Sequence, residues 1–319
     1  QPLTHGSSTH HGKLAHVSVE ERAQRFGQQP ATVLFSGLSG AGKSTLAYAV
    51  ERKQGRSAWT GEHPARIFDH PDVRRMLMLM KARIEAARAI CLATGIAADV
   101  AQLDIDPALR EAARLREELF VPVAKAWSTD VGVEVASMGV QIHGGMGFVE
   151  ETGAAQHYRD ARIAPIYEGT NAIQAIDLMG RKLAMGNGEA VRQLINDIWP
   201  TASALKSHDN AWLHTVGTRL ENGIAAVQAA TGWLIERRGH AQPDALAGAA
   251  AYLKLLGDVM GGWMLGKSAL AAARHLAAGE GDAAYWRTKI GLARIYSEHI
   301  LAQAPGLTAA VTQGSADLF

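Results

Sequence analysis

Apolar residues recur every three or four positions along most of this chain, and beyond residue 70 that period is never replaced by strand-type alternation. Val73, Met76, Met80, Ile84, Ala87 and Cys91 make one continuous stripe, the spacing of a helix face that meets a core. His70-Pro71-Asp72 supplies its start, with a proline and an acid in the first turn. A loop around Asp104-Ile105-Asp106-Pro107 precedes a second helix predicted from Ala108 to about Met138, with Pro122 as a kink. After the glycine-rich Gly144-Gly145-Met146-Gly147, a third element leads to Glu168-Gly169-Thr170. A fourth helix is predicted from near Asn171 through Ile173, Ile176, Leu178 and Leu183. Gly186-Asn187-Gly188 reads as a linker, and helices follow at about 189–197, 211–237, 243–278 and 282–303. One segment alone has strand character, Ala31-Thr32-Val33-Leu34-Phe35-Ser36, which stops at Gly37. A doubly wound sheet needs alternating strands and helices, so a single strand excludes it. Long helices joined by short loops predict an antiparallel bundle. The expected fold is therefore mainly α: a helical bundle, a helical C-terminal extension and a small N-terminal β-loop-α fragment.

Composition narrows the function. With 47% hydrophobic and 20% charged residues among 319, the chain has an ordinary globular make-up. Lys plus Arg number 32 against 31 Asp plus Glu, a balance that argues against nucleic-acid or membrane-surface binding. The single cysteine, Cys91, excludes an internal disulfide and a cysteine-cluster zinc site. No apolar run reaches the roughly 18 residues of a membrane span, and no signal peptide opens the sequence, so a soluble, cytoplasmic protein is expected. The sequence begins at Gln1 rather than Met, which leaves room for a start further upstream.

Gly37-Leu38-Ser39-Gly40-Ala41-Gly42-Lys43-Ser44 satisfies the phosphate-loop pattern, between a strand and a helix as that motif requires. Its glycines let backbone N–H groups wrap a phosphate of ATP; Lys43 would reach the outer phosphates and Ser44 would hold Mg²⁺. Together with Val17-Ser18-Val19-Glu20-Glu21-Arg22 and Arg25-Phe26-Gly27-Gln28-Gln29-Pro30, this stretch resembles adenylylsulfate kinase over about residues 1–50. There the likeness ends. Phe68-Asp69-His70-Pro71-Asp72-Val73-Arg74 is a faint echo of that family's second motif without its glycine. Phosphoryl transfer also needs an acidic metal partner and a substrate site, so kinase activity is not expected.

Further along, Ala47-Tyr48-Ala49-Val50-Glu51-Arg52-Lys53-Gln54-Gly55-Arg56, Gln141-Ile142-His143-Gly144-Gly145-Met146-Gly147-Phe148 and Tyr158-Arg159-Asp160-Ala161-Arg162-Ile163-Ala164-Pro165-Ile166-Tyr167-Glu168-Gly169-Thr170-Asn171-Ala172-Ile173-Gln174 carry a second resemblance. It is to the acyl-CoA dehydrogenase family, in particular the large bacterial branch with methylmercaptopropionyl-CoA dehydrogenase-like enzymes. The likeness covers only that family's C-terminal helical domain and the branch's extra helices. The whole reads as a chimera joined near Ala47 to Lys53, with expected units 1–46, 47–186 and 187–319.

The resemblance implies a set of roles. Removing the α-proton of an acyl thioester needs a carboxylate in a dry pocket, and hydride from Cβ then passes to a flavin. Glu168 is implied as that base and Gly169 as lining the acyl-CoA site. Thr170, Asn171 and Ala172 open a helix whose N-terminus suits the FAD pyrophosphate. Gln141, Ile142, His143, Gly144 and Gly145 match a stretch that touches FAD held by a partner subunit, and Arg52 matches a cofactor-contacting arginine. An electron-transferring flavoprotein-type acceptor and a homo-oligomer are implied with them. The expected function is FAD-dependent α,β-dehydrogenation of an acyl-CoA; the alternatives are an ATP-binding adenylylsulfate kinase fragment and an inactive helical oligomerisation module. On residue type alone, Glu168 is a helix-capping acid. Arg159, Asp160 and Arg162 read as an ion-pair cluster, and His143 as a packed or backbone-bonded histidine. His5, His10, His11 and His16 read as a polar tail rather than a metal patch. Met76, Met78 and Met80 read as core, and Trp212, Trp233, Trp263 and Trp286 as packed between the C-terminal helices.

Overall fold

The computed structural model describes residues 42–237, 242–315 and Leu318, and within them every long element is a helix. The strand candidate at 31–36 and the phosphate-loop residues Gly37 to Ala41 lie outside the described residues. Gly42, Lys43 and Ser44 open helix α1 (42–51). An isolated antiparallel bridge, Lys53 with Arg66, closes the loop that follows. Then come α2 (Pro71–Leu103), α3 (Pro107–Pro122), a π-helical turn (Val123–Trp127), α4 (Ser128–His143), α5 (Ala154–Ala161) and α6 (Asn171–Gly180). The C-terminal part holds α7 (Glu189–Lys206), α8 (Ala211–Arg237), α9 (Gln242–Ala278), α10 (Ala283–His299) and α11 (Ala304–Gln313).

Several boundaries differ from those the sequence predicts. The second long helix does not kink simply at Pro122. Having no N–H, the proline interrupts the α ladder, and the chain passes through one π turn before resuming as α4. The helix at Glu189 runs through Pro200 to Lys206 instead of stopping near 197. The expected unit boundary after residue 46 falls inside α1, which continues unbroken. Gly186 and Asn187 do break the chain, both with φ near +55°. Even so, one apolar core runs from Ala49 to Val311 across that break.

α9 ties the two parts together. Glycine inside a helix costs about 1 kcal/mol relative to alanine, but here it lets neighbours approach. A Cβ on Gly257 would lie 2.3 Å from Trp127 Cγ, and one on Gly261 2.3 Å from the Tyr296 hydroxyl. Beside them, buried Asp258 accepts hydrogen bonds from Trp127 Nε1 and Lys254 Nζ, both at 2.9 Å, and its carbonyl accepts one from Tyr296 at 3.0 Å. The π turn is thus locked to the C-terminal helices. Of the four tryptophans expected between those helices, Trp263 is buried and donates to Thr201, while Trp212 is half exposed beneath the Arg294 guanidinium.

Candidate active site

The implied site residues gather at the two ends of α4. At its C-terminal end, Gln141 to Gly145 meet Tyr48 of α1 and Arg52, just past the end of that helix, around a cleft of about 640 Å³. His143 is buried there. Its Nδ1 lies 2.7 Å from the Gly139 carbonyl and its ring stacks on Tyr48 at 4.4 Å, so it packs and bonds backbone. Gly144 has φ 61° and ψ −139°, a conformation only glycine adopts without strain. A Cβ at Gly144 or Gly145 would meet nothing within 4 Å, so open space lies directly against this backbone. An arginine facing a bared glycine backbone suits an anionic, planar ligand, the chemistry of a flavin nucleotide.

The other end of α4 supports the corner that carries Glu168. Thirteen residues separate Asp130 from His143, about 20 Å at 1.5 Å per residue, so the two clusters do not share one pocket. Glu168 has φ +53° and Gly169 φ +86°. For a side chain larger than asparagine the left-handed region costs energy, and such a residue persists only where its surroundings hold it. Lys125, placed by the π turn, does this: its ammonium donates to the Gly169 carbonyl at 2.7 Å and to Asn171 Oδ1 at 2.8 Å. The Asn171 amide nitrogen is shared among the Ala126 carbonyl at 2.9 Å, Thr129 Oγ1 at 2.8 Å and Asp130 Oδ1 at 2.8 Å. Thr170 caps α6 by accepting from the Ile173 N–H at 3.4 Å.

The electrostatics follow from this packing. Burial pushes the Lys125 ammonium below its ordinary value, and the nearby carboxylates of Asp130 and Glu168 push it back up. Burial raises the Asp130 carboxyl, against the Asn171 hydrogen bond and the charges of Lys125, Arg162 and Lys254. Burial, then the Glu168 charge, raises Tyr167. Glu168 itself is exposed, so the dry pocket expected around a catalytic carboxylate is not formed by the described residues.

The expected cofactor contacts therefore divide. Arg52 and Gln141 to Gly145 converge on one cleft; Thr170, Asn171 and Ala172 do sit at a helix N-terminus. The Asn171 side chain, however, is turned inward to the protein and is not offered to a ligand. Arg159 pairs with Glu150, not with Asp160 or Arg162, while Arg162 lines a small cleft beside Asp130. Lys125 was not among the implied site residues; a π turn after Pro122 has no signature in the spacing of apolar positions. Among the described residues no group of three or more His, Cys, Asp or Glu could hold a metal.

Comparison with known proteins fits this geometry. Residues 36–183 match the acyl-CoA dehydrogenase C-terminal domain, and residues 189–319 match the acetyl-CoA dehydrogenase C-terminal-like domain. The chain belongs to the acyl-CoA dehydrogenase family. It is 45% identical over 259 residues to the 3-methylmercaptopropionyl-CoA dehydrogenase of Ruegeria pomeroyi, covering 81% of this chain and 44% of that one. The family chain thus spans under half the length of that relative. An acyl-CoA dehydrogenase from Bacillus anthracis, solved with FAD, has the same fold (TM-score 0.68, 17% identity, over 88% of this chain and 47% of that one). A bifunctional CysN/CysC enzyme of Rhodopirellula baltica is 65% identical over 40 residues, 12% of this chain and 6% of that one. That match is too short to carry a nucleotide-binding domain, and nothing in the described residues supports Mg-ATP.

Proposed function

We propose that this chain is the C-terminal part of an FAD-dependent acyl-CoA dehydrogenase, with Glu168 as the base that takes the α-proton of the acyl thioester. The observation that carries the reading is the Glu168 corner, a carboxylate on a left-handed turn, pinned by Lys125 and set at the N-terminus of α6. Gly169, next to it, would line the acyl-CoA site. Arg52 and Gln141 to Gly145 would hold FAD at the far end of α4, and the α6 N-terminus would face the pyrophosphate of another. When bound, FAD supplies the hydride acceptor. Glu168 holds the abstracted proton at its carboxylate, and water is excluded only when further protein covers this exposed corner.

Two ends about 20 Å apart along one helix suit a homo-oligomer in which each copy contributes to a neighbour's flavin. Phe148, Ile163, Ile166, Ile173 and Ile176 are all exposed apolar side chains around these ends, which favours association. An electron-transferring flavoprotein-type acceptor and a cytoplasmic setting follow from the same family reading. The expected units 1–46, 47–186 and 187–319 would then be a phosphate-loop fragment, the site-bearing bundle and a bracing extension.

The test is to co-express the chain with the N-terminal half of the Ruegeria pomeroyi relative, add FAD and an acyl-CoA, and follow loss of the flavin absorbance. Glu168→Gln should slow that loss by about 10²–10⁴-fold, the range for a positioned general base. Equal rates in the two proteins would refute the assignment.

A further inference from the structure

Asn171 joins the start of α6 to the π turn and to α4, and its side-chain amide sits between opposite charges. Its Oδ1 accepts from the Lys125 ammonium at 2.8 Å, and its nitrogen lies 2.8 Å from Asp130 Oδ1. That nitrogen has two hydrogens to donate, and the Ala126 carbonyl, Thr129 Oγ1 and Asp130 compete for them. Of these acceptors Asp130 alone can carry a charge, and a charged acceptor makes the stronger bond. Turning the amide over would set its oxygen against the carboxylate and its hydrogens against the ammonium. The two charges therefore admit one orientation. In that orientation alone does the Asn171 side chain offer Lys125 an acceptor beside the Gly169 carbonyl.

We infer that Asp130 is a positioning residue for the corner that carries Glu168. Its carboxylate orients the Asn171 amide, and the amide in turn keeps the Lys125 ammonium on the Gly169 carbonyl. For its effect on the reaction the inference rests on the reading of Glu168 as the base; the linkage itself belongs to this chain alone. It accounts for a helix-opening asparagine that points inward, 41 residues along the chain from its acidic partner. Asp130 is faced by Lys125 of the π turn, Arg162 from the segment after α5 and Lys254 of α9, while Arg83, Glu134 and Asp258 line the same cleft. Burial raises the Asp130 carboxyl, and the Asn171 bond and the three facing cations pull it back towards the charged form.

Asp130→Asn keeps the shape and one acceptor oxygen but removes the charge, and a double-variant cycle with Lys125→Met tests the linkage. The reporter is hydrogen exchange of the Asn171 backbone amide, which bonds the Pro165 carbonyl at 3.0 Å. Asp130→Asn should speed this exchange about fivefold, the loss expected when a charged acceptor becomes neutral, with amides in the middle of α9 unchanged. Added to Lys125→Met, it should speed exchange by less than about twofold, because both act through one amide. A fivefold effect in both backgrounds would overturn the inference, and so would no effect in either. As a spectroscopic signature, the NMR shift of the Asn171 side-chain nitrogen should follow a titration in acid that Asp130→Asn abolishes; a step that survives the substitution would overturn it too. In the flavin assay with the N-terminal half of the relative, Asp130→Asn should lower the limiting rate about two- to tenfold and leave the half-saturating acyl-CoA concentration within about twofold. An unchanged rate in an assembly that Glu168→Gln slows would overturn the inference. If neither substitution slows the flavin, the reading of Glu168 as the base falls, and the exchange cycle decides the linkage by itself.

Discussion

Replacing Lys125 with methionine should loosen the Glu168 corner without unfolding the bundle. Methionine keeps an unbranched apolar stem, so the change removes chiefly the ammonium and its two hydrogen bonds. Those bonds, at 2.7 Å to the Gly169 carbonyl and 2.8 Å to Asn171 Oδ1, join the π turn to the start of α6. A hydrogen bond from a charged donor contributes about 1.5–3 kcal/mol. Lys125 is only half buried, and solvent screening reduces the pair together to about that same range. Since 1.4 kcal/mol is tenfold in an equilibrium, local opening around residues 166–171 should increase about 10- to 100-fold. The reporter is the Asn171 amide, which bonds the Pro165 carbonyl at 3.0 Å and closes this turn. Its hydrogen exchange should accelerate by that factor, while amides in the middle of α9 keep wild-type rates. Lys125→Arg, which retains charge and donors, should recover part of the protection. An Asn171 amide in Lys125→Met that exchanges within about twofold of wild type would show that the left-handed turn is held by something else.

Gly257→Ala should destabilise the fold by about 3 kcal/mol or more in urea unfolding, because its Cβ would lie 2.3 Å from the Trp127 ring and neither element has space to withdraw; a change under about 1 kcal/mol would mean that α9 is not pressed against the π turn. Glu85 gives a pH signature. Burial raises its carboxyl, but hydrogen bonds from Lys289 and Lys81 outweigh this and hold it below the usual carboxylate value. A depressed folded value stabilises above the unfolded pKa of about 4.3 and is lost as pH falls through the folded one. The urea midpoint of Glu85→Gln should therefore lie below wild type at pH 7 and converge on it in acid, and a gap that stays constant down to pH about 2 would contradict this linkage.

Much of the helical architecture was legible in the apolar spacing. Val73 to Cys91 does form one helix, with Met76, Met80 and Ala87 buried, because a period of 3.6 determines which side can face a core. What escaped that reading was set by packing rather than period. Pro200 sits inside α7, and α8 and α9 supply enough contact to keep the helix continuous across it. The π turn at Val123–Trp127 arises where Pro122 breaks the ladder and Trp127 must reach Asp258, a partner 131 residues away. The candidate site divides in the same way. Arg52 and the Gln141 to Gly145 stretch were named from their resemblance to the acyl-CoA dehydrogenase family, and they line one cleft. Lys125 and the inward turn of Asn171 depend on contacts across more than 40 residues, which no local pattern records.

The placement of the two clusters bears on how such a chain can act at all. A carboxylate base gains strength from desolvation, yet Glu168 is exposed, and so are the isoleucines near it. What the described residues fix is the backbone of that corner. The left-handed turn, the Lys125 pin and the cap at Thr170 set the point from which the Glu168 side chain leaves the chain. The Arg52 cleft, about 20 Å away at the other end of α4, is likewise shaped by Gly144 and the His143–Tyr48 stack. On the proposed reading, the backbone placement of Glu168 and the exclusion of water are separable contributions, and the described residues supply only the first. Such a chain is expected to be slow until that corner is covered.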